Sequence, residues 1–545
     1  TLGNPLYVSA YSAFLCLLCG YMFLKEKKTW LKAMMAGVFI LSAINFIGSN
    51  SRSTGLGIIA AFFTVSMALA VFAKGYTKIK FGVVAALCGF TIFMTVLYAN
   101  HTDAWVKKIP VFGRIVTIDF NLNDTRFIAW NIAVKAGLDR PVFGWGPTNY
   151  YYAFNYFYNP RSLMHGWGET WFDTAHNLLL NTFAERGFFG VVSYLFIFAA
   201  PIVFLIKKRK ENSGLLLLCF GVAFITIQFV HNFFVFENAT SYLYFFLFLA
   251  FISSYGGGLG VQKQVHMETK PVSSVFAGII FLMALFIIYK FDIQPAIANH
   301  KALVTISLFS RNIQEGRNSF EELLKIPTTH PEDVRLDYAA QLLGSVHNPS
   351  NQAEAAFLVD TLKEVRAELY KVIDGDHPRE VRVHTKIGVA DRYLFSLTKD
   401  PAYLNDAVQV YNKAIEMSPK RQQFAFEKAA LFFMAGKKEE GLKILKDVVA
   451  DAPDLIEPRK RLAFGYAEIE EWQKAFEIFI DLFNDGYAPE NSSEEDAVAR
   501  VATKSGFTPA QLQEKFEPLL MKEALAGNSD RVKVFERIIQ KASAK

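Results

Sequence analysis

The sequence predicts an all-α protein in two parts: a polytopic helical membrane bundle with a large extracytoplasmic loop, followed by a soluble α-helical repeat domain. Three observations predict it. The 545 residues are 52% hydrophobic and 15% aromatic, with a mean hydropathy of +0.21, which is too apolar for a soluble chain of this size. The apolar excess is confined to residues 1–292, where it falls into eight runs. Residues 293–545 have an ordinary soluble composition and repeat every 34 residues.

The runs cover 6–24, 33–48, 56–73, 81–99, 177–206, 215–230, 241–255 and 275–289. About 20 apolar residues cross a bilayer as a helix, so each run is expected to cross, the shorter ones with help from flanking aromatics. Basic clusters at 25–28, 74–80, 207–210 and 263–270 follow alternate runs. The positive-inside rule places these clusters in the cytoplasm. The outer face then receives the loop 100–175, the connection 231–240 and everything after 289. The run 241–255 is the weak point, because a re-entrant segment there would move the C-terminal domain to the cytoplasm. All four cysteines (Cys16, Cys19, Cys88 and Cys219) lie inside apolar runs, with no disulfide or zinc pattern. The net charge of +6 sits at the ends of the runs, which suits membrane topology and not nucleic acid. The chain opens on Thr1 and not on Met, with no signal peptide visible, and its N-terminus is expected to have been lost by processing or truncation.

In the soluble half Ala407, Gly441 and Ala475 recur at a spacing of 34, as do Tyr411, Leu445 and Phe479, and Ala414, Val448 and Leu482. Pro419 and Pro453 keep the same interval, with Ala429 and Phe432 matched by Ala463 and Tyr466. Small and large apolar residues at these offsets, closed by a helix-ending proline, are the tetratricopeptide pattern, clearest at 403–489. Stacked helix pairs leave a concave surface, and a protein partner is expected there.

The polar groups of the membrane half gather on the outer face. Arg52 stands at a membrane boundary on the side where positive charge is disfavoured. Arg126 opens an amphipathic stretch carrying Trp130, with Asp124 or Thr125 as its cap. Gly144-Trp145-Gly146 is a turn whose backbone can approach a ligand closely. The aromatics from Tyr150 to Tyr158 suit an interfacial belt or a sugar-stacking platform. His176 precedes the longest run, whose start favours an anion, and Asp173 is spaced to orient its imidazole. Asn177 adjoins it. Glu185 lies more than two turns deeper and needs a cationic partner, with Arg186 or the outer arginines as candidates. Two guanidinium groups and a helix start bind an anion, while a histidine transfers a proton. A lipid-linked diphosphate sugar needs such a site: its lipid stays in the bilayer, its diphosphate is neutralised at the boundary, and its glycan projects outward.

Several short pieces resemble the O-antigen ligase and polymerase superfamily of bacterial membrane glycosyltransferases. They are Leu2-Gly-Asn-Pro5, Ser51-Arg52-Ser, Arg126-Phe-Ile-Ala-Trp130, Pro141-Val-Phe-Gly-Trp-Gly146, His176-Asn177 with Glu185-Arg-Gly187, and Asn232-Phe-Phe-Val-Phe236. The resemblance implies an undecaprenyl-diphosphate-linked glycan as donor. It implies transfer to an acceptor hydroxyl of a lipid or protein outside the cytoplasmic membrane, with no metal, nucleotide sugar or other cofactor. It suggests Arg52 and Arg126 for the diphosphate and His176 as base or diphosphate ligand. Trp130, Asp173, Asn177, Glu185 and Trp145 are expected to line the substrate. Rival readings are a polymerase of the same superfamily, a non-catalytic anchor presenting the repeats, and a transporter.

Overall fold

The computed structural model describes residues 4–73, 77–118, 124–211, 214–255, 274–375 and 377–543. Lys74, the basic segment 263–270 and Leu2-Gly3 of the first superfamily-like piece lie outside the described residues. Among the described residues every regular element is helical. The chain divides into two compact units that are not simple successive stretches. The first comprises Thr1–Phe154 and Trp171–Glu268, the second Asn155–Thr170 and Thr269–Lys545.

The first unit opens with α1 (Pro5–Lys25), α2 (Thr29–Ser49), α3 (Arg52–Phe72) and α4 (Thr77–Ala99). Asn4 caps α1, its Oδ1 accepting from the Leu6 N–H at 2.9 Å, and Pro5 fills the first helical position, where no N–H is needed. The α2–α3 corner is made by Asn50, which takes the left-handed conformation at φ 49°. The stretch between α4 and the next long helix holds α5 (Ala104–Lys107), α6 (Phe112–Val116), α7 (Thr125–Asp139) and the start of α8 (Tyr150–Tyr156). Then come α9 (Leu178–Lys208), α10 (Gly214–Phe234) and α11 (Ala239–Tyr255). Buried on most faces, α10 packs against α1, α3 and α9. Its rings interleave with their neighbours: Phe224 lies 4.0 Å from Phe248, and Tyr21 stacks on Phe220 at 4.8 Å. Aromatic packing of this kind stands in for hydrophobic driving force, which lipid does not supply between helices.

Among the described residues seven helices are long and apolar enough to cross a membrane, and Ala239–Ser254 is a shorter apolar helix. The helices begin and end within a few residues of the sequence expectation, with two changes of consequence. Arg52, expected at the close of the second run, is instead the first residue of α3. The last apolar run also does not stop at 289. From α12 (Ser274–Ile288) the helix continues through a π-helical turn at Tyr289–Ile293 to give an apolar helix over Val275–Phe309.

The second unit is a series of paired helices. Val381–Thr398 pairs with Pro401–Met417, Gln422–Met434 with Lys438–Asp451, and Ile456–Glu468 with Trp472–Asn484. The 34-residue offsets mark the packing positions: Ala407, Ala475, Ala429 and Ala463 are buried to 1% exposure or less. At Gly441 a Cβ would lie 3.1 Å from the Ala429 carbonyl oxygen, so the smallest residue permits the closest helix approach. The stretches either side of 403–489, weak in the repeat pattern, also fold as helices packed on their neighbours.

Candidate functional site

All eight residues singled out by sequence belong to the first unit. Asp124 caps α7 by accepting from the Arg126 N–H at 2.9 Å, which fixes where Arg126 leaves the helix start. Arg52 lies within electrostatic reach of Arg126, of Asp124 and of a third cation, Arg114. All three guanidinium-bearing residues are exposed, and among the described residues none forms a salt bridge. Arg52 is repelled by two other cations and balanced by one carboxylate, a field that an anion relieves.

Arg114 is set by a dedicated turn. The Asn50 side chain accepts the Val111 N–H at 2.6 Å, and the Asn50 carbonyl accepts from Arg114 Nη1 at 2.8 Å. Val111 sits at φ 64°, a strained place for a β-branched residue. Its side chain presses on α3 at Gly55, where a Cβ would lie 2.3 Å from Val111 Cγ1. Short α6 is thereby seated on the start of α3, beside Arg52. The sequence reading missed Arg114. Its signal was the one that marked Arg52, a positive charge on the outer face, but Lys107, Lys108, Lys135 and Arg140 share that signal and nothing in the sequence ranks Arg114 above them.

The end of α10 and the connection after it tie these elements to His176. The buried His231 Nδ1 lies 3.1 Å from Ser53 Oγ and 3.2 Å from Thr54 Oγ1, next to Arg52. Phe233 meets the Trp130 ring edge-on at 5.5 Å. Phe236 meets the His176 ring edge-on at 5.2 Å, and Phe172 meets it edge-on at 5.5 Å. One stretch, 231–236, thus touches the neighbours of Arg52, the helix of Arg126, and His176 itself. His176 takes φ 50°, a left-handed conformation, between the buried Ala175 and Asn177.

The remaining predicted residues are placed as follows. Asn177 is the N-cap of α9, its Oδ1 accepting from Leu180 N at 3.1 Å, and it is fully buried with Nδ2 unpartnered among the described residues. Asp173 is exposed, its charge acting on the buried Tyr150 hydroxyl. Glu185 is 4% exposed, and Arg186 Nη2 stands 4.0 Å from its carboxylate. The Gly144-Trp145-Gly146 turn is tied to its own chain: Trp145 N and Gly146 N donate to the Ala184 and Glu185 carbonyls at 2.9 and 2.8 Å. Those carbonyls are freed because α9 breaks at Gly187, which holds φ 62° and ψ −156°. The Arg140 guanidinium covers the Trp145 ring at 4.2 Å.

Three residues of the aromatic run pack within the fold. Tyr150 donates to the Ala129 carbonyl at 2.7 Å, Tyr151 stacks on Trp171 at 6.4 Å, and Phe154 packs on Phe172 at 5.3 Å. A buried acid that sequence did not single out, Glu237, lies in the α10–α11 connection and accepts from Asn232 Nδ2 at 2.9 Å. Burial pushes its carboxyl above the usual range, against the pull of Tyr242, Asn232 and the Arg186 charge. Among the described residues no group of three His, Cys, Asp or Glu side chains is placed to hold a metal ion.

Residues 37–195 match the family described as O-antigen ligase, a stretch that contains Arg52, Arg114, Arg126 and His176 alike. No curated protein matches the chain. Among solved structures, a thermophilic TPR protein of Thermus thermophilus is similar over 37% of this chain and 98% of its own, at 16% identity and a TM-score of 0.29. The O-antigen ligase match supports a membrane glycan ligase or polymerase type of role in a multi-pass membrane protein.

Proposed function

We propose that this protein transfers a glycan from an undecaprenyl-diphosphate-linked donor to an acceptor hydroxyl on a lipid, protein or surface polymer, at the outer face of the bacterial cytoplasmic membrane. The observation that carries this reading is the cluster of Arg52, Arg114 and Arg126 at the start of α3, exposed and without a salt bridge among the described residues. Guanidinium groups stay charged at any working pH and hold phosphate oxygens in pairs. A diphosphate entering the cluster cancels repulsion already built into the fold. An apolar cavity of about 760 Å³ in the same unit, lined by α1–α4 and α10 with Ala13, Gly20, Phe39, Ala61 and Gly82 among its walls, suits the lipid part of such a donor.

The acceptor oxygen attacks the anomeric carbon of the glycan. The bond from that carbon to the diphosphate oxygen breaks, and the lipid diphosphate leaves with its electron pair. His176 takes the acceptor proton. Diphosphate is a good leaving group once its charge is neutralised, so positioning and electrostatic stabilisation supply most of the acceleration. General-base help adds about 10²–10⁴-fold.

Purified protein given a labelled lipid-linked donor and a candidate acceptor tests the reaction. Label appearing on the acceptor supports ligation. A ladder of lengthened lipid-linked chains assigns the chain to polymerisation, and an unchanged donor removes both.

A further inference from the structure

Residues 155–170 leave the membrane unit and return to it. Their stem is closed there by the Tyr151–Trp171 and Phe154–Phe172 ring pairs, yet the segment itself folds with the repeats. The repeat side of the contact centres on Arg421, 2% exposed, in the turn between Pro401–Met417 and Gln422–Met434. Arg421 Nη1 donates to the Thr170 carbonyl at 2.9 Å, Nη2 to Asn155 Oδ1 at 2.7 Å, and Nε to Ser418 Oγ at 3.3 Å. Ser418 Oγ in turn donates to the Asn155 carbonyl at 2.7 Å. The Tyr158 ring lies 4.2 Å under the guanidinium, and Gln422 Nε2 donates to the Pro160 carbonyl at 3.2 Å. Leu163 is buried among Phe426, Leu442, Leu445 and Leu462, and Arg161 pairs with Asp454 at 3.1 Å. One buried cation thus grips both ends of the segment, while an apolar anchor and a rim ion pair hold its middle.

We infer that the repeat domain is a clamp in cis: it holds residues 155–170 of the chain's own loop before α9. A consequence for topology follows. The segment precedes α9 and the repeats follow α12, so two parts that pack together must lie on one side of the membrane. The crossings between them must be even in number, and α9, α10 and α12 make three. The 17-residue α11 is therefore the fourth crossing. At about 25 Å it nearly matches the apolar thickness of a bilayer. This inference does not depend on the chemistry of glycan transfer.

The test is made on the full chain with R161C and D454C and a specific protease site introduced into 256–273. After treatment with a short bismaleimide and cleavage, the two fragments are expected to stay joined on a denaturing gel. In a chain that also carries L163D the joined product is expected to fall about tenfold or more, because an unpaired carboxylate cannot stay in that apolar site. Y158A, which leaves the repeat core untouched, is expected to act in the same direction. Fragments that separate although a monofunctional maleimide labels both cysteines would overturn the clamp. So would equal joining with and without L163D, or a membrane-impermeant maleimide reaching only one of the two cysteines in intact cells.

Discussion

Arg126 and Arg421 are the same side chain in opposite circumstances. Arg421 is buried, and its three donating nitrogens meet two carbonyl-type acceptors and a hydroxyl on fixed neighbours. Arg126 is exposed, and the charges nearest Arg52 include it and a further arginine. A saturated buried cation holds a fold together, since removing it strands its partners. A cluster of exposed like charges destabilises the fold slightly and earns its place only by meeting something that arrives. The two therefore separate on which property a substitution damages.

The sharpest break of that comparison is the double substitution R52A/R126A. Transfer is expected to fall about 10³-fold or more, as expected when donors aimed at developing charge are removed, with the thermal unfolding of the detergent-solubilised protein unchanged. Next comes R421A, expected to lower the stability of the repeat unit by about 3 kcal/mol, because charge-assisted bonds to Thr170 and Asn155 go unmade. Chemical denaturation followed by intrinsic fluorescence measures it, and R421K is expected to recover only part, having no fork to reach both acceptors. G187A is expected to destabilise the membrane unit by about 1–3 kcal/mol from the backbone dihedral alone. The added Cβ would also lie 2.5 Å from the Val142 carbonyl carbon. The smallest effect is expected for R114A, about a tenfold rise in the donor concentration needed for half-maximal transfer, since one screened charge of three is lost.

The two regions also differ in how far they could be read from the residues. The helices of the membrane half were legible because apolar runs and basic clusters report a bilayer directly. The repeat was legible because Ala407, Gly441 and Ala475 stand where helices touch, and contact selects for size at a fixed interval. The start of α7 was legible too, since Asp124 caps by a local rule. What stayed hidden depends on contacts between distant stretches. Nothing local announces that Val111 bonds Asn50, and so nothing ranked Arg114 beside Arg52. The glycines at 144 and 146 read as freedom to meet a ligand, and only the break of α9 at Gly187 shows that they meet carbonyls of their own chain. Nothing in the sequence marks Arg421, because its partners lie over 250 residues away in a loop whose aromatics suggested a membrane surface or a sugar.

The most direct measurement is glycan transfer by R126A and by H176A, each purified, shown to be inserted and folded, and supplied with a defined undecaprenyl-diphosphate-linked donor. Transfer reduced to background in both, with unfolding temperature unchanged, is the expected result. Full transfer by either variant contradicts a site built from these residues.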